Sequence, residues 1–202
     1  MSFGRASRRR FTLLAATATA VAGALTLTAC GDGNKAQGGG NTNFVTGSGG
    51  ISTVAKGERP EAPKLQGKGL DGKPLDLADY KGKVVVLNVW GSWCGPCRLE
   101  AKYFAKVSEE TADQGVQFLG INTRDAQRDP AVNFEKDYGI TYPSFFDPIG
   151  KLILRFPKGT VNPQAIPSTV VVDRDGKIAA RTLQPLDAEQ LHEMIDPIIA
   201  EK

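Results

Sequence analysis

Apolar residues are grouped along this chain in patterns that each predict an element. "VVVLNVW" (Val84 to Trp90) and "VQFLGIN" (Val116 to Asn122) are continuous runs rich in β-branched residues, as expected of strands buried on both faces. "STVVVDRDGKIAARTLQ" (Ser168 to Gln184) predicts two strands around Asp175-Gly176. "APKLQGKGLDGKPLDLADYKGK" predicts two short ones around Asp71-Gly72, and both dipeptides are hairpin signals. After Pro96 the spacing becomes helical, with Leu99, Tyr103, Phe104 and Val107 recurring three and four apart. "DPAVNFEKDYG" (Asp129 to Gly139) predicts a short helix ending near Gly139, and "DPIGKLILRF" (Asp147 to Phe156) predicts another. "DAEQLHEMIDPIIAEK" reads as a C-terminal helix capped by Asp187. The order β-β, β-α-β-α, β-β-α predicts an α/β domain with a central mixed sheet, helices on both faces and an N-terminal β-hairpin extension.

The segment before this domain has a different pattern. Arginines cluster between Arg5 and Arg10, the 16 residues from Leu13 to Thr28 carry no charge, and "LTAC" (Leu27 to Cys30) follows. A basic region, an apolar region and a small-residue cleavage site make residues 1–29 a signal peptide, and its apolar stretch is shorter than the roughly 20 residues of a spanning helix. Residues 31–57 are rich in Gly, Asn, Ser and Thr and predict a flexible linker. Phe44, Val45, Ile51 and Val54 are too sparse there to bury much apolar surface. Residues 58–202 are the expected folded domain.

Charge then narrows the partners. The formal charge is +3, but the first 29 residues hold four arginines and no acid, so without them the balance falls to −1. A near-neutral chain gives no electrostatic reason to expect nucleic acid. Three cysteines are too few for a disulfide-built scaffold.

The candidate chemistry lies in "WGSWCGPCRLE" (Trp90 to Glu100), which places Cys94 and Cys97 directly after a strand and at the opening of a helix. Free N–H groups and the positive end of the helix dipole favour thiolate over thiol on the first cysteine. Such placement lowers a thiol pKa from about 8.5 into a range of roughly 3.5 to 7.5. Cys94 is thus the expected nucleophile, and Cys97, one turn on, resolves the mixed disulfide that Cys94 forms with a substrate. Two other readings of the pair are weaker. Zinc takes about four ligands, and the domain adds only His192, which reads as a solvated or packing residue. A structural bridge closing so short a loop adds little stability. No metal or other cofactor is expected.

"NVWGSWCGPCRLE", with "DGKPLDLADYKGKVVVLNVWGSWCGPC", "IPST" and "VVDRDGKI", resembles the thioredoxin superfamily, and within it the TlpA/ResA-like exported, membrane-tethered thiol–disulfide oxidoreductases. The resemblance implies a thioredoxin-like fold over residues 58–202. It implies that Trp93 borders the nucleophile at the substrate surface, and that Ile166-Pro167 is a cis pair whose backbone meets a substrate strand opposite the dithiol. Asn88 stands where cytoplasmic thioredoxins keep a buried aspartate, and Glu100 matches a family glutamate that takes the Cys97 proton. "LTAC" resembles a lipobox, which implies lipid attachment at Cys30 and a protein anchored on the extracytoplasmic face of the cell membrane. "SRRRFTL" also resembles a twin-arginine signal, so the general secretory and twin-arginine routes both stay open.

Expected partners are protein disulfide substrates and a transmembrane electron donor. Family resemblance implies a reductase of apocytochrome c or copper-site cysteines, although helix-start geometry alone suits oxidants and reductants equally. Thiol oxidase or peroxidase-like activity, or a non-enzymatic copper- or partner-binding module, are the alternatives. The segment before Cys94 lacks the peroxidatic motif of peroxiredoxins.

Overall fold

The computed structural model describes residues 43–201. The expected signal peptide, the twin-arginine-like segment and the expected lipidation site Cys30 lie outside the described residues.

In chain order the strands are β1 (Val45–Thr46), β2 (Ser52–Thr53), β3 (Gln66–Lys68), β4 (Pro74–Asp76), β5 (Val84–Trp90), β6 (Val116–Thr123), β7 (Ser144–Asp147), β8 (Ser168–Val172) and β9 (Ile178–Thr182). The helices are α1 (Gly95–Thr111), α2 (Arg128–Tyr138) and α3 (Ala188–Ile199). Seven strands form one mixed sheet in the order β1-β2-β9-β8-β5-β6-β7, and β3-β4 form the separate hairpin. β5 is central, parallel to β6 and antiparallel to β8, and all seven of its residues are buried. That placement explains why its sequence is a continuous apolar run rather than an alternating one.

The two faces of β5 serve different cores. Val85, Leu87 and Val89 join Leu119, Ile121, Phe145, Val170 and Val172 in a cluster to which no α-helix contributes. Val84 and Val86 face α1 and α3 through Phe104, Val107, Leu191 and Ile195. Trp90, on that same face, packs with Cys97 and Ala101 of α1 and Ala131 and Phe134 of α2. All three helices thus cover one face. The expectation of helices on both faces is corrected: the other face is closed by the hairpin, by residues 152–161 and by Phe44 and Val54.

Residues 147–156 are the cause of that difference. "DPIGKLILRF" is not an α-helix: Asp147 ends β7, Gly150 turns with φ 71°, and only Ile153–Arg155 forms a short 3-10 turn. The Asp147 carboxylate accepts the Lys151 and Leu152 N–H groups at 2.9 and 2.8 Å, so the side chain competes for donors that a helix would use. The sequence pattern does not predict strand β7, because "SFFD" is too short to show a period.

For residues 43–57 the linker reading is also corrected. Phe44, Ile51 and Val54 are buried, and only Val45 is exposed. β2 pairs with β9, Ser52 opposite Arg181, and the Arg181 guanidinium lies 4.5 Å over the Phe44 ring. Arg59 is buried and ion-paired to Asp173 at 2.9 Å and Glu201 at 2.5 Å, tying this segment to the C-terminal end. A few apolar residues are enough here because they add to an existing sheet edge and need no core of their own.

Within α1 the buried stripe differs from the expected one. Leu99 is exposed, whereas Cys97, Glu100, Ala101, Phe104, Val107 and Thr111 face inward. The other local signals hold: Gly139 ends α2 with φ 69°, and Asp187 caps α3 in a capping box with Gln190. Among the described residues no helix is long and apolar enough to cross a membrane.

Candidate functional site

β5 ends at Trp90, and Gly91 to Trp93 carry the chain to α1. Cys94 is the N-cap residue of α1: its sulfur accepts the Cys97 N–H at 3.2 Å, and Pro96 occupies the first turn. The first turn therefore aims a backbone donor at the Cys94 sulfur, the environment that stabilises a thiolate. Cys94 and Cys97 form a disulfide, with Cα atoms 5.3 Å apart. The Ile166–Pro167 peptide bond is cis, and the Ile166 carbonyl oxygen lies 3.8 Å from the Cys94 sulfur. Ile166 and Pro167 thus sit opposite the dithiol, immediately before β8.

Glu100 is only 2% exposed. Asn88 Nδ2 donates to its Oε1 at 2.9 Å, and the Leu186 N–H donates to its Oε2 at 3.1 Å. Burial pushes the carboxyl up to about 8, while the bonds from Asn88 and Leu186 pull it partly back. Glu100 follows Cys97 by one turn on the same buried face of α1, so a carboxyl able to hold or accept a proton near neutrality lies one turn from the second cysteine. Asn88, in β5, holds it there.

Trp93 is 51% exposed beside Cys94, whereas Trp90 is buried and stacked on Phe134 at 4.5 Å. The loop between them is held by residues that the sequence reading did not select. The buried Asp125 accepts the Ser92 N–H at 2.9 Å, the Ser92 hydroxyl, and Asn122 Nδ2 at 2.6 Å. Arg98 donates through Nε and Nη2 to the Ser92 carbonyl at 3.0 and 2.6 Å. Gly91 is required by close approach: a Cβ there would fall 2.8 Å from Trp93 Nε1 and 3.2 Å from the Thr123 carbonyl oxygen. One signal could have found this loop. β5 and β6 are parallel neighbours, and the segments leaving the carboxyl ends of adjacent parallel strands are where sites form, so "NTRD" (Asn122 to Asp125) belongs beside "GSW".

His192 lies between Glu110 and Asp196, and among the described residues no group of three or more His, Cys, Asp and Glu side chains could hold a metal ion. A surface cavity of about 470 Å³, lined by Ala62, Leu77, Tyr80 and Val172 among others, touches neither cysteine nor Trp93, Ile166 or Pro167. Thiol exchange needs a docking edge beside the sulfur, not an enclosing cavity; Cys94 is only 4% exposed but is flanked by the exposed Trp93 and by the Ile166 carbonyl, so the dithiol rim is the better site.

A helix-capping dithiol facing a cis-proline turn, on a mixed sheet of this order, defines a thioredoxin-fold thiol–disulfide oxidoreductase. A model of the Redoxin family matches residues 55–195, and the chain belongs to that family. It is 32% identical over 138 residues to the thiol-disulfide oxidoreductase ResA of Bacillus cereus, covering 68% of this chain and 76% of that protein. Among solved structures it is similar to a DsbF homologue from Corynebacterium diphtheriae, with a TM-score of 0.69 and 39% identity over 75% of this chain and 94% of the other. A secreted thiol-disulfide isomerase from Corynebacterium glutamicum superposes with a TM-score of 0.71 at 31% identity, covering 76% and 94%. These likenesses bear out the family resemblance, the fold class and the enzyme class drawn from the sequence.

Proposed function

We propose that this enzyme is an extracytoplasmic reductase of protein disulfides, exported by residues 1–29 and tethered to the membrane by a lipid on Cys30. Cys94, Cys97 and Glu100 act in catalysis, while Trp93, Ile166 and Pro167 meet the substrate. The observation that carries the mechanism is the buried Glu100 carboxyl on the same face of α1 as the resolving cysteine.

In the reduced enzyme the Cys94 thiolate, stabilised by the Cys97 N–H, attacks one sulfur of a substrate disulfide. The Cys94–substrate bond forms as the substrate bond breaks, and the second substrate sulfur leaves as thiolate and takes up a proton. The Cys97 thiol then gives its proton to Glu100, when that carboxyl is ionised, and attacks Cys94. The enzyme disulfide forms, and the first substrate sulfur leaves and is protonated. Two electrons have passed to the substrate, and a transmembrane donor returns them to the Cys94–Cys97 pair.

Substrates of this class are apocytochrome c or the cysteines of a copper site, both of which must be reduced outside the cytoplasm before they bind their cofactor. The likeness to a secreted isomerase supports a second reading, in which the same exchange shuffles or introduces disulfides. Cys97→Ser expressed in intact cells tests both. It should hold a mixed disulfide with apocytochrome c or a copper-binding protein, and those targets should accumulate oxidised when Cys94 is replaced by Ser. Targets that instead accumulate reduced would support the second reading and overturn the first.

A further inference from the structure

Two guanidinium groups border the loop that carries the nucleophile, and neither has an ion-pair partner among the described residues. Arg98 spends two donors on the neutral Ser92 carbonyl, so its charge is not compensated there. Arg124 is exposed, and its guanidinium lies 4.8 Å over the ring of Trp93, the half-exposed residue immediately before Cys94. Its side chain has no hydrogen bond among the described residues.

The position of Arg124 is built by the fold. It is the one non-glycine residue with positive φ among those described, at 59°, a conformation that a side chain such as arginine adopts only when its surroundings hold it. Those surroundings are on both sides of it: Asn122 and Asp125 are bonded to each other, Asp125 is bonded to Ser92, and the Arg124 N–H donates to the Asp147 carbonyl at 3.3 Å. The acidic residue next to it in the chain, Asp125, is buried and already accepts three donors. A guanidinium held over an aromatic face without other hydrogen-bond partners keeps N–H donors available for a carboxylate, and the ring restrains it so that less rotamer freedom is lost on binding.

We propose that Arg124, presented on Trp93, is a specificity-determining subsite that binds an acidic side chain flanking the target cysteine of the protein substrate. A bound substrate cysteine must lie against Cys94, so a neighbouring Asp or Glu falls within reach of the indole-backed guanidinium. The subsite favours targets with a carboxylate beside the reactive cysteine and disfavours those with a lysine there. It deepens the oxidoreductase reading and rests on it.

The test uses the full reduced chain, solubilised in a neutral detergent. Three otherwise identical peptides carry Asp, Ser or Lys beside a cysteine held in a mixed disulfide with β-mercaptoethanol. Each reaction yields oxidised enzyme, free peptide thiol and free β-mercaptoethanol. At low ionic strength the Asp peptide should react faster than the Lys peptide by about fivefold, the scale of exposed charge pairs, and added salt should compress the ratio. Arg124→Gln should bring the ratio close to one, Arg124→Glu should invert it, and Arg124→Lys should keep part of it. An equal ratio in the wild type and Arg124→Gln, or a uniform slowing of all three peptides, overturns the subsite and leaves the oxidoreductase reading standing. Failure of every form to reduce even the Ser peptide overturns both.

Discussion

Asn88 of the central strand and Glu100 of α1 meet beneath the sheet, with the amide Nδ2 2.9 Å from the carboxyl Oε1. The same Nδ2 lies 3.4 Å from Thr169 Oγ1 in β8, and the other carboxyl oxygen takes the Leu186 N–H. A single buried carboxyl is thereby joined to two strands and to the loop before α3, one helical turn beyond the dithiol. Because it has hydrogen-bond donors but, among the described residues, no cation beside it, burial decides its titration: the protonated form dominates at neutral pH, and the ionised form that accepts the Cys97 proton grows toward pH 8.

Replacing Glu100 with Gln should act on both stability and rate. Burial raises the Glu100 pKa from the ordinary 4.5 to about 8, so between these pH values the native state holds a proton that the unfolded chain has lost. Stability of the oxidised protein should therefore fall as pH rises through that window, with a slope approaching about 1.4 kcal/mol per pH unit. Urea unfolding at several pH values should show this decline in the wild type and its absence in Glu100→Gln. Single-turnover exchange should be slower by about tenfold or more in the variant and should lose the limb that rises near pH 8. An unchanged pH profile would remove Glu100 from the mechanism.

Asn88→Ala removes a bond that favours the charged form of Glu100. The carboxyl should then titrate higher still, moving the rising limb of the rate profile to more alkaline pH. Leaving a buried carboxyl short of a donor should also destabilise the fold by about 1–3 kcal/mol. Carboxyl titration followed by isotope-edited infrared or NMR spectroscopy checks the direction. A shift to lower pH would contradict the role assigned to this bond.

Asp125→Ala leaves the Ser92 N–H, the Ser92 hydroxyl and the Asn122 amide without their acceptor. The expected loss is about 2–4 kcal/mol, the scale of breaking a buried network around a charged acceptor. Far-UV circular dichroism should be preserved, while Trp93 fluorescence and the rate of disulfide exchange change together. Retention of the wild-type exchange rate would show that the Gly91 to Trp93 loop does not depend on this carboxylate.

A chain beginning at residue 58 should be less stable than one beginning at residue 43. It lacks β1 and β2 at the sheet edge and the buried side chains of Phe44, Ile51 and Val54. Val54→Ala in the longer form should cost about 1–3 kcal/mol by cavity formation. Equal denaturation midpoints for the two lengths would return these residues to the linker.

Much of the site was legible because its signals are local. A buried-type strand, two cysteines three apart and a proline at a helix start lie within fourteen consecutive residues, and helix-terminus physics favours a thiolate on the first cysteine without reference to distant contacts. The hairpins at Asp71-Gly72 and Asp175-Gly176 were legible for a similar reason, since each turn encodes its own geometry.

Residues 147–156 show the opposite case. Their composition suits a helix, yet the Asp147 carboxylate takes the N–H groups and the surrounding cluster rewards burial of Leu152, Ile153 and Phe156 while Ile149 and Leu154 stay exposed. Leu99 and Glu100 make the same point within α1, where the apolar residue faces solvent and the acid faces inward. Residue type suggests the reverse, and the stripe that contacts the sheet decides the matter.

The sequence by itself determined the dithiol, the order of its flanking strand and helix, and the family to which the domain belongs, because these depend on neighbours along the chain. Tertiary structure alone decided that Glu100 is buried, that Asp125 holds the loop bearing Trp93, and that Phe44, Ile51 and Val54 belong to the core. Each depends on partners tens of residues away: Leu186 for Glu100, Ser92 for Asp125, and β9 for the segment that carries Phe44. Such contacts form only when strands from distant parts of the chain are brought into one sheet, and no local period encodes them.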